Sequence, residues 1–251
     1  MPDTPPPAGP PEDLHRIRAE IDALDDAIHD LLMRRAGVVA RMASIRAKGE
    51  GPVLRPGREA AVLRRLLARH AGPLPPAALV RIWRELMGGH TELQGGIAVA
   101  AWLPAPGQAE VLRAHLGGAA PILAEPSATA ALGALQAGRA ALAALPDPFE
   151  GGEAWWVDLA PGLHVTALLP VLGPAAARLV LVAPGLPDPS GADRSLLLGP
   201  VPPEGALRVL RAGGQALAEV EGFLRPDDPT IPPGARLLGA YAVPDPGAFA
   251  R

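Results

Sequence analysis

Cysteine is absent from this 251-residue chain, which excludes disulfides and thiolate metal sites. Lysine is nearly absent: Lys48 stands alone, and arginine supplies the rest of the fixed positive charge. No basic block occurs and the formal net charge is −3, which argues against a nucleic-acid surface. No apolar run approaches the ~18 residues needed to cross a bilayer, so no membrane partner is expected. Residues 1–12 are proline-rich and acidic rather than basic and apolar, unlike a signal peptide. They are expected to be a disordered lead, and the protein to be cytoplasmic. There is no internal repeat and no glycine motif of the phosphate-cradling kind. What is present is enough for a sizeable core: 49% hydrophobic and 20% charged residues, broken by 29 Gly and 32 Pro.

The strongest pattern is a stripe of apolar residues at 3/4 spacing: Leu14, Ile17, Ile21, Leu24, Ile28 and Leu31, resuming with Val38, Met42 and Ile45. It predicts one amphipathic helix from a cap at Asp13 to about Lys48, a rod of roughly 50 Å. Such a rod needs a partner along its length. The stripe position between Leu31 and Val38 is Arg35. A charge on a seam is costly unless something negative meets it. Arg46 lies eleven residues on, only ~20° away around the helix. Two guanidinium groups on one face suggest an anion site; taken alone, pairing of Arg35 with a core carboxylate, or snorkelling, is the plainer account.

Pro56 opens a second expected helix, through about His70, on Ala61, Leu63, Leu66 and Leu67. A third is expected from about Ala77 to Gln94 on Leu79, Ile82, Trp83, Leu86 and Leu93, with Gly88-Gly89 weakening its last turns. Gly95-Gly96 marks a change of texture. Beyond it short apolar strands alternate with Ala/Leu-rich helices, which predicts an α/β domain with a parallel sheet. Strands are expected near 97–102, 121–124, 140–145, 163–169, 178–182, 195–198, 216–224 and 236–243. Helices are expected at 108–116, 128–137 and 205–212. His115 and His164 are isolated and read as structural.

Four blocks carry a family likeness: Ile17-Arg18-Ala19-Glu20-Ile21-Asp22-Ala23-Leu24-Asp25; Leu31-Leu32-Met33-Arg34-Arg35; Arg55-Pro56-Gly57-Arg58-Glu59; and Ile82-Trp83-Arg84-Glu85 running to Gln94. In these blocks and their spacing the first 95 residues resemble the all-helical class of chorismate mutase. The resemblance implies a three-helix domain over 13–95, an intertwined homodimer whose long first helices pair, and conversion of chorismate to prephenate without cofactor or metal. It implies that Arg18 of one subunit and Arg35 of the other grip the two carboxylates. Arg46 falls where the family usually has a lysine. Glu59 would accept from the ring hydroxyl, with Arg58 beside it, and Gln94 would donate to the ether oxygen. Besides Arg46, two further departures bear on the site: His90 stands where many members have a small hydroxyl residue, and Arg55 where some have an acid. Both are weaker substrate-binding candidates. A fragment ending near Gly95 is expected to fold as an active dimer.

Residues 96–251 resemble, more faintly, a prephenate dehydratase region. Ala177-Arg178-Leu179 sits where that family has Thr-Arg-Phe, and only the arginine survives. Asp193 to Leu198, Glu204 to Leu207 and Glu219 to Glu221 faintly resemble a regulatory ACT segment. A dehydratase-like domain without dehydratase activity is expected. The alternatives are a bifunctional mutase and dehydratase, a low-turnover module that senses chorismate or an aromatic acid, and, further off, an isochorismate–pyruvate lyase on the same helical fold.

Overall fold

The computed structural model describes residues 13–46, 54–118 and 120–250, the side chains of residues 43, 45 and 46 excepted. The expected disordered lead, 1–12, lies outside them. The chain divides into two compact units, residues 1–50 and 51–251.

The described residues of the first unit form a helix, α1 (Leu14–Arg46). Its N-terminus is closed as the sequence predicts. Asp13 Oδ1 accepts the His15 backbone N–H at 3.0 Å, satisfying one of the donors a helix start leaves open. At 33 residues it is an unbroken rod of about 50 Å. Its stripe is largely exposed within the chain: Leu14, Ile21, Leu24, Ile28, Leu31, Val38 and Met42 all keep much of their surface in solvent.

The second unit carries α2 (Pro56–Ala68), α3 (Pro76–Leu93), α4 (Gln108–Leu116), α5 (Ala128–Gln136) and nine strands. The strands are β1 (Val99–Ala101), β2 (Ile122–Ala124), β3 (Leu142–Pro146), β4 (Leu163–Leu169), β5 (Leu179–Pro184), β6 (Asp193–Gly199), β7 (Arg208–Ala212), β8 (Gln215–Glu221) and β9 (Arg236–Ala242). They form one sheet in the order β2-β1-β3-β5-β4-β9-β6-β8-β7. The expectation of a parallel sheet needs correction. β1 runs parallel to β2 and β3, and β4 touches β9 in parallel at Val165 and Gly239. The other pairings between these strands are antiparallel. The helix expected over 205–212 is also corrected: β7 occupies Arg208–Ala212 and pairs with β8. Gly213 and Gly214 join them with φ of 55° and 75°. Two consecutive positive φ values make the tight turn that suits a twisted hairpin, and Gly-Gly supplies them without steric cost.

Side chains alternate across the sheet with period two. Ala100, Ala143, Leu145, Val180 and Val182 enter one core with α5 and the pair Trp155 and Trp156. Val99, Ala101, Leu142, Ala144, Leu179 and Leu181 enter the other, and there they meet Ala60 and Leu63 of α2, Val80 and Met87 of α3, and Leu112 of α4. So α2 and α3 are part of a helical layer on the sheet. The texture change at Gly95-Gly96 is not where the compact units divide, and a fragment ending there would lose the cover over this face of α2 and α3. The buried face of α3 differs as well. Val80, Arg84, Met87 and His90 are buried, while Ile82 and Leu93 of the expected stripe are exposed.

Two close approaches lock the helices down. A Cβ on Gly57 would lie 2.1 Å from the Asp188 carbonyl oxygen, and one on Gly88 would lie 2.4 Å from that of Leu116. Gly88 is therefore a packing residue of an intact α3, not a weak point in it. α2 has no side-chain cap of its own at Arg55. The Asp188 carboxylate does that work from the far domain, accepting the N–H groups of Gly57 at 3.2 Å and Arg58 at 2.8 Å. Further along α2, Arg64 donates to Ser190 Oγ at 2.9 Å and to the Val243 carbonyl at 2.7 Å. Gly57→Ala should therefore cost about 2–3 kcal/mol, combining overpacking with a weakened cap. Urea unfolding checks this; a change under about 0.5 kcal/mol would mean the Asp188 loop yields freely.

Candidate active site

Glu59 is an expected site residue that borders a cavity. It sits in the first turn of α2, partly buried, and Arg84 reaches it from α3: Nη1 donates to Glu59 Oε2 at 2.8 Å. Side-chain exposures of 15% for Glu59 and 7% for Arg84 make this a buried ion pair. Burial pushes the Glu59 carboxyl up, against the pull of Arg84, and the charge of Asp188 adds to the rise. Burial likewise pushes Arg84 down, against Glu59. A cavity of about 290 Å³ opens beside the pair, lined by Glu59, Met87, Gly88 and Thr91 from the helices and by Ile97, His115 and Leu116 from beyond them.

The other expected residues are distributed as follows. Arg18 is exposed and Arg35 half-buried, both on α1. They are seventeen positions apart on one unbroken helix, about 25 Å along the axis and ~100° around it. The Arg46 side chain lies outside the described residues. Arg58 gives its backbone N–H to Asp188 and is otherwise exposed. Arg55 is placed against Asp188 too, Nε to Oδ2 at 3.5 Å, so its partner is a carboxylate of the sheet domain. Gln94 caps α3 and its Nε2 donates to the His90 carbonyl at 3.0 Å. His90 is buried within the last turns. Thus the structure gathers Glu59 at a cavity, Arg55 and Arg58 at the α2 start, and His90 and Gln94 at the α3 end.

Three residues matter here that the sequence did not single out as site members. Arg84 occupies a buried i, i+4, i+7 row with Val80 and Met87, the same kind of misplaced arginine that drew notice at Arg35. Asp188 acts across about 130 positions, and nothing local marks it. His115 is buried, and its Nε2 has no hydrogen-bond partner among the described residues.

Elsewhere, Glu219 lies fully buried on β8. It accepts from Arg208 Nε at 2.7 Å, Arg208 Nη2 at 2.6 Å and Arg194 Nη1 at 3.3 Å, and from the Tyr241 hydroxyl. Burial raises this carboxyl, but the bonds from Arg208 and Tyr241 outweigh it and hold it below its usual value. Arg208 also stacks over Phe149 at 4.1 Å. The donors come from β6, β7 and β9 and converge on Glu219 of β8, so the cluster braces four strands, and Arg208 Nη1 also lies 3.9 Å from Asp147 Oδ2. Arg178, the remnant of the dehydratase-like motif, gives its backbone N–H to Glu150 and keeps its guanidinium 3.9 Å from the same carboxylate. Among the described residues no group of three or more His, Asp or Glu is placed to hold a metal ion. None of their helices is long and apolar enough to cross a membrane.

The blocks that carry Arg18, Arg35, Glu59 and Gln94 fall inside one stretch that a known family shares. Residues 17–95 match the family model of chorismate mutase type II. The bifunctional chorismate mutase/prephenate dehydratase of Aquifex aeolicus (strain VF5) is 34% identical over 93 residues, 36% of this chain and 26% of that protein. The protein of the same description from Neisseria gonorrhoeae is 43% identical over 70 residues, 28% of this chain and 19% of that protein. The chain thus spans about a quarter of the length of the curated relatives it matches. Among solved structures, prephenate dehydratase in complex with L-Phe from Arthrobacter aurescens has a TM-score of 0.44 at 15% identity, covering 61% of this chain and 94% of that one. The chorismate mutase type II stretch therefore comprises α1, α2 and α3, and it crosses the division between the two compact units.

Proposed function

We propose that the protein is a cytoplasmic, homodimeric chorismate mutase that rearranges chorismate to prephenate. The observation that carries this reading is Glu59: it belongs to the block shared with the mutase family, and it lines a cavity. Arg84 bonds its Oε2, while Oε1 has no hydrogen bond among the described residues and is left for a ligand hydroxyl. The reaction breaks the ether C–O bond as a C–C bond forms within one molecule, so no proton, nucleophile or electron carrier takes part. The protein must hold the reactive conformer and offset negative charge growing on the ether oxygen. Guanidinium forks suit both tasks, because each grips a carboxylate with two donors.

The shape of α1 supports the dimer. Two carboxylates of one small substrate cannot be held by Arg18 and Arg35 of the same rod when ~25 Å of helix separates them. Two chains bring them together. The apolar stripe of α1, exposed within one chain, and the exposed Ile82 and Leu93 of α3 supply seams for the second copy. In this reading Arg35 and Arg46 face the substrate from one chain, Arg18 from the other, and Gln94 donates to the ether oxygen.

The test is direct. Purified protein should convert chorismate to prephenate with EDTA present; complete loss in EDTA defeats the reading, and phenylpyruvate formed at neutral pH would show a bifunctional enzyme instead. Mixing inactive Arg18→Ala and Arg35→Ala chains under subunit exchange should restore activity, because one site of each mixed dimer keeps both arginines. No recovery despite proven exchange would put both residues in one chain's site.

A further inference from the structure

We propose that Asp188, on the loop between β5 and β6, is a positioning residue of the mutase reaction: through the start of α2 it holds the Glu59 carboxylate in place, so the sheet domain controls the site. The inference rests on the reading of the Glu59 cavity as the mutase site. Asp188 lies far outside residues 17–95, the mutase-family stretch, yet the first turn of α2 is built on it. Pro56 has no N–H to satisfy. The N–H groups of Gly57 and Arg58 go to the Asp188 carboxylate at 3.2 and 2.8 Å, and that of Glu59 goes to the Arg55 carbonyl at 3.0 Å. Arg55 in turn brings its Nε to 3.5 Å from Asp188 Oδ2. The donors that a helix start leaves open thus close on Asp188 up to the residue before Glu59.

The loop can act as a stop because it is stiff. Asp188 stands between Pro187 and Pro189, whose rings fix φ. Ser190, which follows, is buried and gives its N–H to both Asp193 carboxylate oxygens at 3.0 Å. That ties the loop to the first residue of β6. Backbone meets backbone where α2 arrives, since a Cβ on Gly57 has no room beside the Asp188 carbonyl. Glu59 is therefore fixed from two sides, its backbone by the Asp188 loop and its side chain by Arg84. Catalysis by placed groups is steep in position: a shift of about 1 Å can cost about 10²-fold. Asp188 acts by charge as well, adding to the rise that burial gives the Glu59 carboxyl against the pull of Arg84.

The test measures kcat/KM for chorismate in the full chain, at a temperature where each variant is folded. Asp188→Ala should lower it about tenfold, because Glu59 is no longer held at one place. Asp188→Asn should regain most of that loss, since an amide oxygen still caps the helix start. In a Glu59→Gln background Asp188→Ala should cost little more, because the carboxylate it would place is gone. A folded Asp188→Ala with wild-type kcat/KM overturns the proposal and leaves the mutase reading intact. An undiminished loss in the Glu59→Gln background overturns it in the same way. Should Asp188→Ala fail to fold, the pH profile of Asp188→Asn decides. The charged and titratable groups about Glu59 are Arg84 of α3, Asp188, Arg55 and Arg58 at the start of α2, and Glu92 and His115 on the same cavity. Only Asp188 changes, and its lost charge lets Glu59 shed its proton more readily, so the acid limb of activity moves to lower pH. A limb that stays where it is overturns the proposal. A wild-type chain that neither binds nor converts chorismate overturns both readings.

Discussion

Arg35→Ala is expected to lose about 10² to 10⁴-fold in kcat/KM for chorismate, while the unfolding midpoint moves little. The two halves of this expectation have different origins. Activity falls because a guanidinium that meets substrate charge in the transition state is removed. Stability changes little because Arg35 is only half-buried at a stripe position of α1, where alanine is a good helix former. A residue retained only for an ion pair inside the fold would give the reverse: lower stability and near-normal turnover. Near-normal turnover in a folded Arg35→Ala dimer would remove this residue from the substrate clamp.

Arg84→Met carries the largest expected stability effect, about 3–5 kcal/mol. The pair with Glu59 is buried on both sides, so removing the cation leaves a carboxyl without its counter-charge and still away from water. In a unit of about two hundred residues this should lower the melting temperature by roughly 10 °C. Replacing both partners, Arg84→Met with Glu59→Leu, should recover most of that loss, because two apolar groups of similar volume need no solvation. Activity should not return with stability, since the double variant lacks the oxygen that Glu59 offers to the ligand. A double variant as unstable as Arg84→Met would show that packing of the arginine stem, not charge, holds α2 to α3.

The features legible in the sequence are those whose causes are local. The 3/4 stripe and Asp13 define α1, because cap and periodicity are read over a few residues. The bounds of α4 came out at Gln108 and Leu116, since Gly107 and Gly117, both at positive φ, punctuate the chain on either side. β7 departs from the expected helix for a physical reason too. Its Ala/Leu content outweighed Gly213-Gly214, the stronger signal for a hairpin. The mixed direction of the sheet could not be read, because a strand's own pattern reports which face is buried and not which neighbour pairs with it. The site divides in the same way. Glu59 was visible within a local block. Arg84 was visible in principle, as an arginine in a buried helical row. Asp188 and His115 gain their meaning only from elements far along the chain, so no window of sequence contains the reason for them.

The reach of the α2 contacts has a consequence for how the protein comes into being. A ribosome releases α2 long before it has made Asp188, and longer still before Val243, whose carbonyl receives Arg64 from 179 positions upstream. Until then α2 has neither its cap nor its seat on the sheet, and a lone helix of 13 residues is marginal in water. The emerging chain must carry α2 unfinished through most of its synthesis and close very long loops at the end, a slow step by the general rule that distant contacts delay folding. Expression yield should therefore respond to chaperone supply more than the stability of the finished protein would suggest.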